Sequence, residues 1–352
     1  MEKKMKKLPK NSFYTGKLAK GCIYCSHGSK MVLLITGLCN ARCFYCPLSE
    51  KKKDKDVIYA DELLARGEND IIIEAELIEA EGTGITGGDP LVKAERTAHY
   101  IKMLKDYFGE EHHIHLYTAT MNMEKIKKVI EAGLDEIRFH PPWQLWDKIE
   151  KTKLKDIVKN IDIDVGLEIP VVAHLKKETN HLLHTVDKYG FDFINLNELE
   201  FSYTNVEELS KYGYVAKNDV SSAVKGSEEM AYEMLNWGIE TPLHYCSASF
   251  KDAVQLRNRI ARRARNVARK YDVITEDGTL LKGIIMAGRE KLREIKEKFG
   301  IADDMIAWDD EKKRIETSPF ILEEIAEYLP YKCYLVEEYP TADRLEVEKI
   351  PL

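Results

Sequence analysis

Met31-Val-Leu-Leu-Ile35-Thr-Gly-Leu-Cys39-Asn-Ala-Arg-Cys43-Phe-Tyr-Cys46-Pro47 is an apolar run that opens into a loop carrying three of the seven cysteines in the 352-residue chain. A short run rich in branched side chains, closed by Thr and Gly, predicts a buried strand over residues 31–35. The C-x3-C-x2-C loop then leaves that strand at its carboxyl end. Thiolate is the soft donor that iron–sulfur clusters take, and three at this spacing suit three irons of a [4Fe–4S] cube, with the fourth iron left open. Zinc is the competing ligand, although structural zinc sites want four donors, commonly as two C-x2-C pairs. A disulfide framework is disfavoured by low cysteine density and by a Lys-rich start, Glu2-Lys-Lys-Met-Lys-Lys7, that lacks the apolar core of a secretion signal.

Outward from this stretch, apolar strands alternate with helix-length amphipathic segments, the pattern of a parallel α/β sheet. Strands are expected over residues 31–35, 81–86, 114–118, 136–140, 165–172 and 191–196. Helices are expected over 61–77, 91–108, 123–132, 143–157 and 179–189. Functional residues then belong at the carboxyl ends of the strands. A strand candidate at 240–245 precedes Cys246 and one long amphipathic helix over 250–270. Beyond it, residues 271–285 and 305–317 read as hairpins, followed by a helix from Pro319 and two strands. The expected domains are an N-terminal extension with a C-x2-C knuckle (1–29), a core (30–246), a basic helix (247–270) and a small α+β domain (271–352).

Thr86-Gly-Gly-Asp-Pro90 closes the second strand. Adjacent glycines let backbone approach a ligand closely, and Asp89 supplies a carboxylate for an ammonium group; a glycine turn capped by Asp is the plainer alternative. The Cys39/Cys43/Cys46 loop together with this Gly-Gly-Asp-Pro segment resembles the radical S-adenosylmethionine (SAM) superfamily. Within it, the chain resembles archaeal proteins related to pyruvate formate-lyase activating enzyme. The resemblance implies a partial (βα)6 barrel, a [4Fe–4S] cluster on Cys39, Cys43 and Cys46, and SAM at the open iron. It places Gly87, Gly88 and Asp89 against SAM and Tyr45 near the adenine. It further implies a protein or peptide substrate, an external reductant of ferredoxin or flavodoxin type, and an anaerobic cytoplasmic setting.

Other groups invite roles. Arg138, His140, Glu168, Asn195 and Asn197 fall on or at the ends of strands four to six, where they either converge on SAM and substrate or serve as strand-end capping. Cys22-Ile-Tyr-Cys25 is a second C-x2-C pair; with Cys246, and less readily Cys333, it would make a zinc site or an auxiliary iron–sulfur cluster, while Cys333 alternates with Tyr331 and Leu335 as a core residue would. Six arginines between Asp252 and Asp272 suggest an anionic substrate such as RNA or a nucleotide, against the solvated face that such runs usually form. The net charge of −7 argues against a general nucleic-acid binder. No stretch is apolar for the length of a membrane span. A metal-binding scaffold without turnover is the remaining alternative to an enzyme.

Overall fold

The computed structural model describes residues 4–352; residues 1–3 of the expected N-terminal extension lie outside the described residues. The chain divides into two compact units, one up to Glu76 and from Ala80 to Leu256, the other Leu77–Glu79 with Arg257–Leu352. The division falls inside the stretch expected to form one long helix.

The first unit is built on one mixed sheet of eleven strands: β1 Met5–Lys7, β2 Phe13–Thr15, β3 Lys30–Leu34, β4 Tyr59–Ala60, β5 Leu63–Leu64, β6 Gly82–Thr86, β7 His113–Thr118, β8 Glu136–Phe139, β9 Asp164–Val171, β10 Phe193–Glu198 and β11 Leu243–Cys246. Seven of these (β3, β6, β7, β8, β9, β10 and β11) are parallel and lie side by side in chain order. The six expected strands are therefore joined by a seventh, because Leu243-His-Tyr-Cys246 pairs in register with Ile194-Asn-Leu-Asn197. The first and last parallel strands do not pair with each other. β3 is bordered by the antiparallel β4–β5 hairpin, and β11 by the antiparallel β2 of an N-terminal hairpin. The second pairing sets Phe13 opposite Tyr245 and Tyr14 opposite His244, and Ser12 Oγ lies 3.1 Å from Ser247 Oγ.

Helices α1 Lys20–His27, α2 Glu68–Leu77, α3 Ala94–Phe108, α4 Met123–Glu131, α5 Leu154–Lys159 and α6 Lys176–Val186 connect or flank these strands. α3 buries Thr97, Ile101 and Leu104 at helical spacing. α4 starts where Asn122 accepts a hydrogen bond from the Lys125 N–H at 3.1 Å. The expected helix over 143–157 is instead a 3-10 segment, Trp143–Lys151, kinked at Lys148 and followed by α5.

Strand alternation sorts side chains onto two faces. One face carries Ile114, Leu116, Ile137, Leu167, Ile169, Ile194 and Leu196, all fully buried. The other is polar, yet also mostly buried: His113, His115 and Tyr117 on β7, Glu136 and Arg138 on β8, Glu168 on β9, Asn195 and Asn197 on β10, His244 and Cys246 on β11. Parallel register lines these groups up, with Tyr117 beside Arg138 and Glu168 beside Asn195 beside His244. Helix α1 lies against this polar face: a Cβ on Gly21 would stand 2.5 Å from His115 Nδ1 and 2.7 Å from Arg138 Nη2.

The second unit holds an antiparallel sheet, with β12 Val273–Ile274, β13 Leu280–Ile285, β14 Ile306–Asp309, β15 Arg314–Thr317, β16 Cys333–Glu338 and β17 Glu346–Pro351 in the order β14-β15-β13-β16-β17 and β12 on β13. Helices Leu292–Phe299 and Pro319–Ile325 contribute Ile295, Leu322 and Ile325 to an apolar core shared with Ile285, Ile315 and Cys333. The expected long helix is three pieces: Ala248–Phe250, a π-helical turn Lys251–Leu256, and Arg257–Val267.

Candidate functional site: the cysteine loop and the strand ends around it

The loop that carries Cys39, Cys43 and Cys46 is fixed at its base by main-chain bonds. Gly37 N–H donates to the Lys55 carbonyl at 2.8 Å, Gly88 N–H to Thr36 at 2.7 Å and Asp89 N–H to Leu38 at 2.9 Å. The last two bonds need glycines. A Cβ on Gly87 would lie 2.5 Å from the Thr36 carbonyl oxygen, and one on Gly88 would lie 2.4 Å from that of Leu38. Both glycines thus let the end of β6 press against the start of the cysteine loop.

Asp56 completes the base. It accepts from Thr36 Oγ1 at 2.9 Å, from Arg96 at 2.6 and 3.1 Å, and pairs with Lys93 at 3.0 Å. The Arg96 hydrogen bonds hold its carboxyl well below the usual carboxylate range.

The three thiols are all partly exposed. Ala41 N–H donates to Cys39 Sγ at 3.3 Å, and the Cys46 N–H closes a turn on the Cys43 carbonyl at 3.2 Å. Burial raises the Cys39 thiol, with Asp89 and Cys46 adding to the shift, and pushes that of Cys43 up to about 11, with Cys39 and Cys46 adding. Among the described residues no three His, Cys, Asp or Glu side chains are gathered to hold a single metal ion. A four-iron cube makes a different demand, since each thiolate meets its own iron. Three half-exposed soft donors on one anchored loop fit that demand.

Asp89 is buried beneath this loop. Its carboxylate accepts from Thr118 Oγ1 and Thr120 Oγ1, each at 2.7 Å, and from the Leu91 N–H at 3.1 Å. A carboxylate has about four acceptor sites, so one is left for an ammonium donor. Thr118 and Thr120 were not singled out from the sequence; the signal was Thr118-Ala-Thr120 at a strand end.

The two loop aromatics divide. Tyr45 points inward, 5% exposed, with its hydroxyl 3.1 Å from His140 Nε2 and its carbonyl held by Asn205 Nδ2 at 3.1 Å. Phe44 is half-buried among Trp143, His174 and Tyr212.

Deeper on the polar face, Glu168 gathers most of the strand-end groups. Its carboxylate accepts from Arg138 Nη1 and Asn195 Nδ2 at 2.9 Å each, and from Asn197 Nδ2 at 2.8 Å. Burial would raise this carboxyl, but Arg138 and the two amides outweigh it and hold it below its usual range. His140 is not part of this set of hydrogen bonds; it pairs with Tyr45.

Cys22 and Cys25 lie on α1. Cys22 Sγ accepts from Asn195 Nδ2 at 3.3 Å, and Cys246 Sγ from Gln255 Nε2 at 3.4 Å. Burial pushes Cys22 up to about 11 and Cys246 up to about 12, so both are neutral thiols. Cys333 lies in the apolar core of the second unit. The arginine run is engaged with protein groups: Arg257 with the Glu276 carbonyl, Arg263 with that of Pro340, Arg269 with Glu316, Lys270 with Asp304.

Comparison with known proteins settles the family. The profile of the radical SAM superfamily matches residues 33–142, which hold the cysteine loop and Gly87-Gly88-Asp89. A Methanocaldococcus jannaschii protein named "Putative glycyl-radical enzyme activating enzyme MJ0021" is 44% identical over 356 residues, covering 96% of this chain and 93% of its own length. The chain belongs to the radical SAM superfamily. A radical SAM enzyme carries a [4Fe–4S] cluster and uses SAM. Residues 278–352 match a domain of unknown function, DUF8061. Among solved structures, the radical SAM methyltransferase TsrM from Kitasatospora setae aligns at 10% identity and a TM-score of 0.34, over 68% of this chain and 52% of that one. No described helix of this enzyme is long and apolar enough to cross a membrane.

Proposed function

We propose that this enzyme is an activase that abstracts hydrogen from a protein or peptide substrate and leaves a radical on it. The observation that carries the reading is the anchored loop, in which Cys39, Cys43 and Cys46 stand over Asp89 at the end of the neighbouring parallel strand. The name of the 44%-identical relative supports the substrate class. When bound and reduced, the cluster and SAM supply a 5′-deoxyadenosyl radical that abstracts hydrogen.

In this reading Cys39, Cys43 and Cys46 hold iron. Asp89, held in place by Thr118 and Thr120, takes the SAM ammonium, while Gly87 and Gly88 bring its backbone up to the loop. Tyr45 packs near the adenine, with His140 fixing its hydroxyl. Glu168, with Arg138, Asn195 and Asn197, lines the polar face on which substrate lies. The seven parallel strands form a partial barrel around that face, and α1 covers part of it.

The auxiliary zinc or iron–sulfur centre on Cys22, Cys25 and Cys246 is assigned no step in this reading. An RNA or nucleotide substrate is disfavoured by the arginine run, whose members already meet protein acceptors.

The test is anaerobic reconstitution followed by iron and sulfide analysis, 5′-deoxyadenosine formation under dithionite, and electron paramagnetic resonance of a co-expressed candidate protein. About four irons per chain, SAM cleavage and a SAM-dependent protein radical are expected. Cleavage coupled instead to a nucleotide or RNA would overturn the substrate class.

A further inference from the structure

We propose that Lys30 is the anchor for a carboxylate of the substrate polypeptide, on the polar face of the parallel strands. The inference rests on the protein-substrate reading above and names the chemical group that this face selects. Lys30 opens β3 and is 8% exposed. A buried ammonium normally has a carboxylate against it. The other buried cations of this unit do, Arg138 with Glu136 and Glu168, Lys105 with Asp135. Lys30 forms no ion pair among the described residues, and its Nζ has one hydrogen-bonding neighbour, His115 Nε2 at 3.4 Å.

That neighbour cannot satisfy it. Burial holds the His115 pKa well below its usual range, with Arg138 and Lys30 adding, so the ring is neutral. Its Nε2 also faces the Tyr117 hydroxyl at 3.2 Å. A neutral ring nitrogen carries one lone pair or one N–H, so it serves at most one of these two donors. At least two N–H groups of Lys30 are left without a protein acceptor. Glu136 and Glu168 supply none: Arg138 takes both, and Asn195 and Asn197 also hold Glu168. Burial by itself lowers the Lys30 pKa, but Cys25 and Tyr117 outweigh it and raise it, so the group is an ammonium and not a free amine nucleophile. A thiol and a phenol balance that charge only after losing their own protons, and burial raises the Tyr117 pKa.

The ammonium is delivered toward open space. β6 puts no side chain between Lys30 and His115: a Cβ on Gly84 would stand 2.8 Å from His115 Nε2 and 3.4 Å from Lys30 Cδ. Lys30 itself pairs with Gly82, so its side chain leans along the sheet toward the carboxyl ends of the strands, where the cysteine loop begins. Val32, the next β3 residue on this face, is 37% exposed, and Tyr117 and Cys25 are partly exposed. One ammonium among neutral groups matches a singly charged carboxylate. A phosphate dianion lacks its second cation here, because Arg138 is already engaged by two acids. An Asp or Glu side chain and a chain terminus share this chemistry.

The test is titration calorimetry on the reconstituted holoenzyme with SAM present. The probes are acetyl-Gly-Glu-Gly-amide, its neutral twin acetyl-Gly-Gln-Gly-amide, acetyl-Gly-Gln-Gly with a free carboxyl terminus, and inorganic phosphate. Wild type is expected to bind one of the two carboxylate peptides about tenfold tighter than the neutral twin, and the one preferred names the source of the acid. Lys30→Met is expected to lose that preference at unchanged iron content; if Met fails to load iron, Lys30→Gln takes its place. No preference for carboxylate over amide, a preference that survives in the variant, or phosphate bound tighter than both peptides overturns the site. Dithionite-driven 5′-deoxyadenosine formation by wild type is measured beside it. Lys30-dependent carboxylate binding without any SAM cleavage sustains the site and overturns the radical reading, whereas cleavage without such binding does the reverse.

Discussion

At Gly88 a single methyl group would stand 2.4 Å from the Leu38 carbonyl oxygen and 2.6 Å from that of Gly37, both of them backbone atoms that cannot rotate aside. Gly88→Ala is therefore expected to push the cysteine loop off the end of β6, at a cost of about 1–3 kcal/mol. Iron content after reconstitution should fall while the circular dichroism of the sheet persists; full iron loading would show that the loop tolerates the shift. Cys39→Ala, Cys43→Ala and Cys46→Ala are each expected to abolish 5′-deoxyadenosine formation, and full cleavage in any one of them would remove that residue from the ligand set. Glu168 answers a different question. Glu168→Leu strips buried Arg138 of one of its two carboxylate partners, the other being Glu136, and should lower stability by about 3–5 kcal/mol, read as a fall in Tm. Glu168→Gln, which keeps the shape, should cost less.

Among the elements, α4 offers a contained test: Asn122→Ala removes the acceptor for the Lys125 N–H and should cost about 1 kcal/mol in chemical denaturation. The elements also show what the sequence made legible. The strands themselves and the cysteine loop were readable because their signals are local: an apolar run, a cysteine spacing, a Gly-Gly-Asp-Pro turn. β11 was seen as a strand but not as a member of the parallel set, since its membership lies in pairing with β10 and not in its own four residues. The arginine helix is incompletely legible for a related reason. Sequence shows six cations without nearby acids, while the acceptors that meet them, such as the Pro340 carbonyl and Glu316, are remote in the chain. Glu168, Arg138, Asn195 and Asn197 are each legible as polar groups on strands four to six, but that the last three close on the Glu168 carboxylate depends on strand register. The roles of Gly87 and Gly88 in loop packing were invisible, because they depend on the carbonyls of another strand's exit.

For the molecule as a whole, buried histidines set its acid tolerance. His112 and His113 are each 3–4% exposed, and burial lowers their pKa from 6.5 to about 4. Both are neutral in the fold, whereas the unfolded chain takes up their protons below pH 6.5. Their contribution is thus fully present above pH 6.5 and is lost as pH falls toward 4, at about 1.4 kcal/mol per pH unit for each. Denaturation midpoints across this range should show that slope, and His112→Gln should flatten it; an unchanged slope would place the acid sensitivity elsewhere.

The N-terminal hairpin adds a consequence in time instead of energy. β2 pairs with β1 on one side and with β11 on the other, so the N-terminal hairpin must wait for more than two hundred further residues before the edge it joins in the large sheet exists. Until then Phe13 and Tyr14 have only Lys7 and Lys6 of the short β1 opposite them, and the last edge of the sheet stays open to other chains. Synthesis of this enzyme should therefore be most vulnerable to aggregation late, and a circular permutant that joins the hairpin directly to β11 should refold faster than the native order.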